Sequence, residues 1–174
     1  METIKAIRSR RSVRKFTDEE IVENDILLLK EALLCSPSSR NRNPWKFYFV
    51  RNRELLQKLS HCKPSGADFV AQAKLAVVVC GDETVCDVWI EDTSIASVIL
   101  QLAAHSVGLG TCWVQIRNRR YNEETFSQDY IKNLLNIENN NLQVLSIIAI
   151  GHSAQTPKPL EYGELQFDKI KDVL

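Results

Sequence analysis

Glycine and proline are scarce: six and five residues in a chain of 174, about half the share expected from average usage of roughly 7% and 5%. Collagenous, loop-rich and disordered chains are thereby excluded. Neither sign of charge is in excess, since Lys plus Arg and Asp plus Glu both number 22 and the formal net charge is zero. No global field exists to hold nucleic acid or an anionic membrane, and any anion site has to be local. The five cysteines, Cys35, Cys62, Cys80, Cys86 and Cys112, are odd in number and lack CxxC spacing, which argues against a disulfide framework or zinc knuckle and suits a reducing cytoplasm. The three histidines, His61, His105 and His152, lack HExxH spacing, and no metal is assigned. No stretch approaches the roughly 20 apolar residues of a membrane span, and the N-terminal METIKAIRSRRSVRK lacks the apolar core of a signal peptide. The expectation is a soluble, cytoplasmic protein with no membrane or nucleic-acid partner.

What is present is a hydrophobic content of 44% in 19.9 kDa, enough for one packed domain spanning residues 1–174. Thr3 is placed to cap a short helix carrying Ile4 and Ile7, after which Arg10-Arg11-Ser12-Val13-Arg14-Lys15-Phe16 concentrates like charge and is expected to leave the helix as an extended strap. Residues 23–35 set Ile26, Leu29, Ala32 and Leu33 on one helical face, with Pro37 as the stop. Trp45–Val50 reads as an aromatic strand leading into a helix capped by Asn52. Leu75–Cys80 lacks polar alternation and reads as a strand covered on both faces. Residues 89–107 carry Ile95, Val98, Ile99, Leu102, Ala103 and Val107 at helical spacing, and the small and aliphatic residues all round predict a deeply buried helix ended by Gly108. Thr111–Ile116 and Val144–Ile150 read as further strands, separated by a helix from Asn122 to about Leu135. Helices alternating with apolar strands imply a sheet sandwiched by helices, its strand directions open at this point. Residues from about 153 to 174 have scattered apolar positions and read as an arm seeking an external surface.

The usual nucleotide signature fails, because Gly108-Leu109-Gly110 is followed by Thr111-Cys112-Trp113 and the third small residue of GxGxxG is missing. His105 falls on the long helix and reads as a buried or interface residue. Cys112, strand-borne between Thr111 and Trp113, reads as packing, so neither is taken as catalytic. The cluster Arg10, Arg11, Arg14 and Lys15 is the sharpest charge feature. A guanidinium fork matches phosphate oxygens, and Ser12 adds a hydroxyl donor. On charge alone the cluster is equally a solvated segment paired with Asp18-Glu19-Glu20. The stretch Pro37-Ser38-Ser39-Arg40-Asn41-Arg42-Asn43-Pro44-Trp45 is dense in hydroxyl and amide donors, which suits either a ligand loop or an ordinary one.

Together these segments resemble the FMN-dependent nitroreductase family, whose members open with an RRSxRxF strap and continue with PSxxNxQPW. RRSVRKF at 10–16, PSSRNRNPW at 37–45, GLGTCW at 108–113 and LLNIENNNLQVLSIIAIGH at 134–152 follow the family's order and spacing over nearly the whole chain. The resemblance implies an α+β fold: a mixed central sheet flanked by helices, in an intertwined homodimer with two FMN molecules at the interface. It assigns Arg10, Arg11, Ser12 and Arg14 to the FMN phosphate and ribityl chain, with Lys158 as a distal phosphate cation. It assigns Pro37, Ser38, Ser39 and Asn41 to the loop that the second protomer lays against the flavin. Trp113, Val114 and Gln115 correspond to the segment beneath the isoalloxazine, where a backbone N–H points at N5.

The implied activity is that of an NAD(P)H-dependent FMN oxidoreductase, passing a hydride by ping-pong turnover to nitroaromatics, quinones or similar small acceptors. The alternatives are an FMN-binding carrier or stress-response module without efficient turnover, or a specialised deiodinating or flavin-fragmenting relative. Asn43 stands where the family usually has glutamine, and Gln115-Ile116 where many relatives carry glycine or an acid. His152 replaces a frequent aromatic, and no arginine follows Lys158 to complete the phosphate clamp.

Overall fold

A computed structural model describes residues 2–173 of the chain. Four strands, β1 (Trp45–Val50), β2 (Leu75–Asp82), β3 (Leu109–Gln115) and β4 (Leu142–His152), form a sheet in the order β1-β2-β4-β3. Every adjacent pair is antiparallel, and the parallel component is confined to an isolated bridge between Ser12 and Thr111. Five helices flank the sheet: α1 (Thr3–Ser9), α2 (Glu23–Leu34), α3 (Arg53–Leu59), α4 (Trp89–Ser106) and α5 (Ser127–Leu134). This is the α+β architecture expected from the sequence.

Strand alternation sorts the apolar residues into two cores. Leu75, Val77, Val79, Ile148 and Ile150 face α2 and α4, meeting Ile26, Leu29, Leu33, Ala96, Leu100 and Ala104. Ala76, Val78, Cys80, Val114, Ile147 and Ala149 face the other way, toward Val13, Phe16, Leu56, Leu59, Val70 and Ile131. β2 and β4 are covered on both faces, which is why their sequences lack polar alternation. Asn52 caps α3 as read from the sequence, its side chain accepting the Leu55 N–H at 3.0 Å.

Three local expectations need correction. Thr3 does not cap α1; it is the first helical residue, and Glu2 holds the cap position without a side-chain bond. Asn122 does not cap α5 either. Its side chain accepts the Glu124 and Thr125 amides at 3.0 and 2.7 Å, closing an Asx turn that delays the helix to Ser127.

The third correction concerns α4, which is less deeply buried than its composition predicted. Ile95 and Val98 are exposed, while the buried face carries Trp89, Asp92, Thr93, Ala96, Ser97, Leu100, Gln101 and Ala104. The reason is close approach. A Cβ built on Gly81 of β2 would lie 2.6 Å from the Trp89 ring and 3.1 Å from the Thr93 methyl, so β2 carries no side chain where Trp89 and Thr93 of α4 rest, and the small hydroxyl residues Thr93 and Ser97 are turned inward. Burying their hydroxyls costs little because each bonds back along the helix. Thr93 donates to the Trp89 carbonyl at 2.6 Å and Ser97 to the Thr93 carbonyl at 2.8 Å. The Gln101 amide follows at 3.3 Å to Ser97 and accepts from Thr111 at 3.4 Å.

Candidate anion and cofactor site

The basic segment is pinned to the ends of β3 and β4. Val13 N–H donates to the Thr111 carbonyl, Thr17 N–H to the His152 carbonyl and Ala154 N–H to the Lys15 carbonyl, each at 2.9 Å. Val13 and Phe16 are the buried anchors. Two glycines make room for them: a Cβ on Gly110 would stand 2.8 Å from Val13, and one on Gly151 would stand 3.0 Å from the Phe16 ring. With these anchors turned inward, Ser12, Arg14 and Lys15 are left exposed. The Arg14 N–H also donates to the Gln155 side chain at 3.2 Å, tying the strap to the C-terminal arm.

Arg10, Arg11, Ser12 and Arg14 line one cavity of about 460 Å³ with Pro157 and Lys158. Sequence positions almost 150 apart thus converge. A second cavity of about 410 Å³ shares Arg10, Arg11 and Pro157 and runs past Gly108–Thr111 to His105 and Ser9. Among the described residues none of the three arginines has an ion-pair partner. The acidic run is engaged elsewhere, with Asp18 and Glu20 on Lys74 at 3.6 and 2.9 Å and Glu19 on His152 at 3.8 Å. That disposes of the solvated-pair alternative for the cluster. Lys158 has an exposed partner, Glu164, at 3.8 Å. A cavity walled by uncompensated guanidinium groups, a lysine and a hydroxyl, with no carboxylate in its lining, matches a phosphate monoester.

Two neighbours of this cavity carry perturbed groups. His105 Nε2 lies 2.7 Å from the Ser9 hydroxyl, and burial together with the Arg10 charge holds its imidazole below the ordinary value of 6.5. Burial pushes the Cys112 thiol up, against the opposing pull of Arg14, a hydrogen bond from Ser12, Arg10 and Lys63. A buried, neutral thiol is a packing group and no nucleophile. Lys63 escaped the sequence reading because the loop after α3 carries no motif, and only the fold brings its charge to Cys112.

β3 is an edge strand. Because Thr111 turns its carbonyl outward to the strap, alternation turns the backbone N–H groups of Trp113 and Gln115 outward along the same free edge. Val114 between them is 1% exposed, its side chain in the core and its amide on the β4 side. The Gln115 side chain is fixed, accepting from Trp113 Nε1 at 3.0 Å and donating to the Arg117 carbonyl at 2.9 Å.

The loop Pro37–Asn43 lies elsewhere. The Ser39 N–H donates to Asp92 Oδ1 at 2.9 Å in the first turn of α4. Ser38 Oγ accepts the Asn43 N–H at 3.0 Å and donates to Asn43 Oδ1 at 2.7 Å. Arg40, Asn41 and Asn43 all adopt left-handed backbone, with φ of 51°, 53° and 49°, so the loop is held in a conformation that unsupported chain avoids. His105, beside the strap, and Asp92, beside the loop, are thirteen residues apart on α4, about 20 Å at 1.5 Å per residue. One chain therefore brings Arg10, Arg11, Ser12, Arg14 and Lys158 together, but places Ser38, Ser39 and Asn41 near the other end of its longest helix.

The Nitroreductase family matches residues 7–79 and 65–152. A Methanothermobacter thermautotrophicus protein, provisionally named an NADH dehydrogenase/NAD(P)H nitroreductase, is 38% identical over 90% of this chain and 80% of its own length. A protein of the same provisional name from Archaeoglobus fulgidus is 34% identical over 87% of this chain and 85% of its own. Among solved structures, an FMN-dependent nitroreductase from Clostridium difficile R20291 superposes with a TM-score of 0.95 at 37% identity, covering 98% of both chains. Matched by the family model from residue 7 to residue 152 and by these relatives along nearly its whole length, this chain belongs to the nitroreductase family.

Proposed function

We propose that the protein is an FMN-dependent oxidoreductase that uses NAD(P)H to reduce small acceptors such as nitroaromatics and quinones. The observation that carries this is the convergence of Arg10, Arg11, Ser12, Arg14 and Lys158 on one carboxylate-free cavity, beside an edge strand with outward amides. FMN held by these residues would supply the hydride-transfer chemistry between NAD(P)H and the acceptor, in the ping-pong order proposed here. The chain's own residues bind and orient. Arg10, Arg11 and Arg14 provide charge-assisted hydrogen bonds to the phosphate, Ser12 a hydroxyl donor, and Lys158 a more distant cation that Glu164 partly offsets. Trp113 and Gln115 offer the edge N–H groups for the ring, and a fixed donor there stabilises charge that develops during transfer without reorganising. No thiol or imidazole is required as nucleophile.

The site is proposed to be shared between two copies of the chain. The loop presenting Pro37, Ser38, Ser39 and Asn41 sits near the opposite end of α4 from the strap, about 20 Å away by helix rise, and within one chain it lines neither of the cavities that the strap lines. Ile95 and Val98 on α4 and Leu27, Leu28 and Leu34 on α2 are exposed in the single chain, an apolar surface of the kind a homodimer covers. The chain is read as one domain with an arm from about residue 153, acting in the reducing cytoplasm that five free thiols suit. No helix among the described residues is long and apolar enough to cross a membrane.

The test is direct. Purified protein should show flavin absorbance bands that denaturation releases, and should consume NADPH continuously with a quinone present. One flavin-equivalent of reduction followed by arrest would indicate a carrier. A colourless protein that FMN does not reconstitute would refute the assignment.

A further inference from the structure

Asp92 is the least expected residue in the molecule. It lies in the first turn of α4, 3% exposed, as the one acid on a buried face of apolar and uncharged polar groups. One oxygen, Oδ1, accepts the Ser39 N–H at 2.9 Å, and the other, Oδ2, is buried with no partner. A carboxyl group buried for stability alone would have both oxygens satisfied, since a half-satisfied one costs more than an apolar replacement of similar size. The N-terminal end of the α4 dipole offsets part of that cost, but the rest calls for a reason. That reason lies in what Oδ1 holds. Ser39 begins the turn whose next residues, Arg40 and Asn41, and then Asn43, adopt left-handed backbone. Within the turn the other bonds are short-range, between Ser38 and residues 41 and 43 and between Ser39 and Arg42, while at its far end the exposed Arg42 side chain donates to the Val85 carbonyl at 3.3 Å and the Pro44 carbonyl accepts the Asp82 N–H at 2.8 Å. Asp92 is the group that ties the near end of the turn, at the Ser39 amide, to α4.

We propose that Asp92 is a positioning residue: through the Ser39 amide it anchors the strained turn to α4 and so fixes the orientation in which Ser38, Ser39 and Asn41 meet the flavin. The inference rests on the flavin reading above. Asp92 need not touch cofactor or substrate. Its effect is preorganisation, because a loop already held in its binding conformation loses little freedom when the ligand arrives.

Three variants separate this role from general stability. Asp92→Ala removes the acceptor. Asp92→Asn keeps one. Ser39→Pro, judged against Ser39→Ala because proline also lacks the hydroxyl, removes the amide donor at a position preceded by extended backbone, Ser38 having φ −140° and ψ 157°, as a residue before proline requires. FMN titration is expected to show Kd raised about tenfold or more in Asp92→Ala and in Ser39→Pro, with no further loss in the double variant. Asp92→Asn should stay within about threefold of the native protein. Amide hydrogen exchange supplies a readout independent of flavin: Ser39 N–H should be protected in the native protein and in Asp92→Asn, and unprotected in Asp92→Ala. Unchanged FMN affinity in both Asp92→Ala and Ser39→Pro, additive losses in the double variant, or an unprotected Ser39 amide in the native protein would overturn the proposal. If Asp92→Ala does not fold, Ser39→Pro and Asp92→Asn decide it. A native protein without affinity for FMN would refute the assigned function, while the exchange data would still decide whether Asp92 anchors the turn.

Discussion

At the scale of single residues, charge placement makes the sharpest claims. Arg10→Ala should weaken FMN binding by about 1.5–3 kcal/mol, the scale of a hydrogen bond to a charged group. Riboflavin, which has no phosphate, should show little of that loss, and equal losses for the two ligands would assign Arg10 another role. His105 yields a pH dependence. Its folded value lies below 6.5 through burial and the Arg10 charge, so below about pH 6.5 the unfolded chain binds more protons than the folded one. Stability present above that value is therefore lost as pH falls through the depressed folded value. Melting temperatures from about pH 5 to about pH 7.5 should show this slope in the flavin-free protein and a flatter one in His105→Gln. A phosphate against Arg10 counters the repulsion, so the slope should also flatten with FMN. A steeper slope in His105→Gln would remove the imidazole from the account.

At the scale of elements, the strap depends on two missing side chains. Gly110→Ala would drive a methyl to 2.8 Å from Val13 and should cost about 1–3 kcal/mol of stability while loosening FMN, because overpacking lifts the strap from β3. Val13→Ala in the same chain should restore much of the FMN affinity, measured by titration alongside denaturant midpoints. The strap, the helix after Asn52 and the four strands were all legible in the sequence, since charge density, a cap and continuous apolar runs are local signals. The orientation of α4 was not. Its outward aliphatics mimic a core stripe, and what reverses them is Gly81, eight residues away, which admits Trp89 and Thr93 to the sheet. Asp92 was hidden for the same reason, because an acid in a first turn ordinarily answers the helix dipole. Lys63 and Gln155 reach the site only through tertiary packing, and Asn122 was claimed by a turn where a cap was expected.

At the scale of the whole molecule, cofactor and assembly should be linked. If strap and loop from opposite copies embrace one flavin, ligand that binds the dimer and not its separated chains stabilises the dimer by mass action. Removal of FMN should lower the melting temperature and raise the dissociated fraction across a dilution series in the ultracentrifuge. Holo-protein that stays monomeric at micromolar concentration would contradict the shared site. The thiols add a practical consequence. Four of the five are buried, with Cys62 and Cys80 pushed up to about 12 by that burial, and Cys35 alone is exposed. Maleimide chemistry on the native chain should consequently stop at one equivalent, whereas the denatured chain accepts five. Cys35 follows α2 directly and precedes Pro37 by two positions, so a fluorophore attached there sits at the root of the loop. Its emission would then report optically whether the loop meets a second copy of the chain.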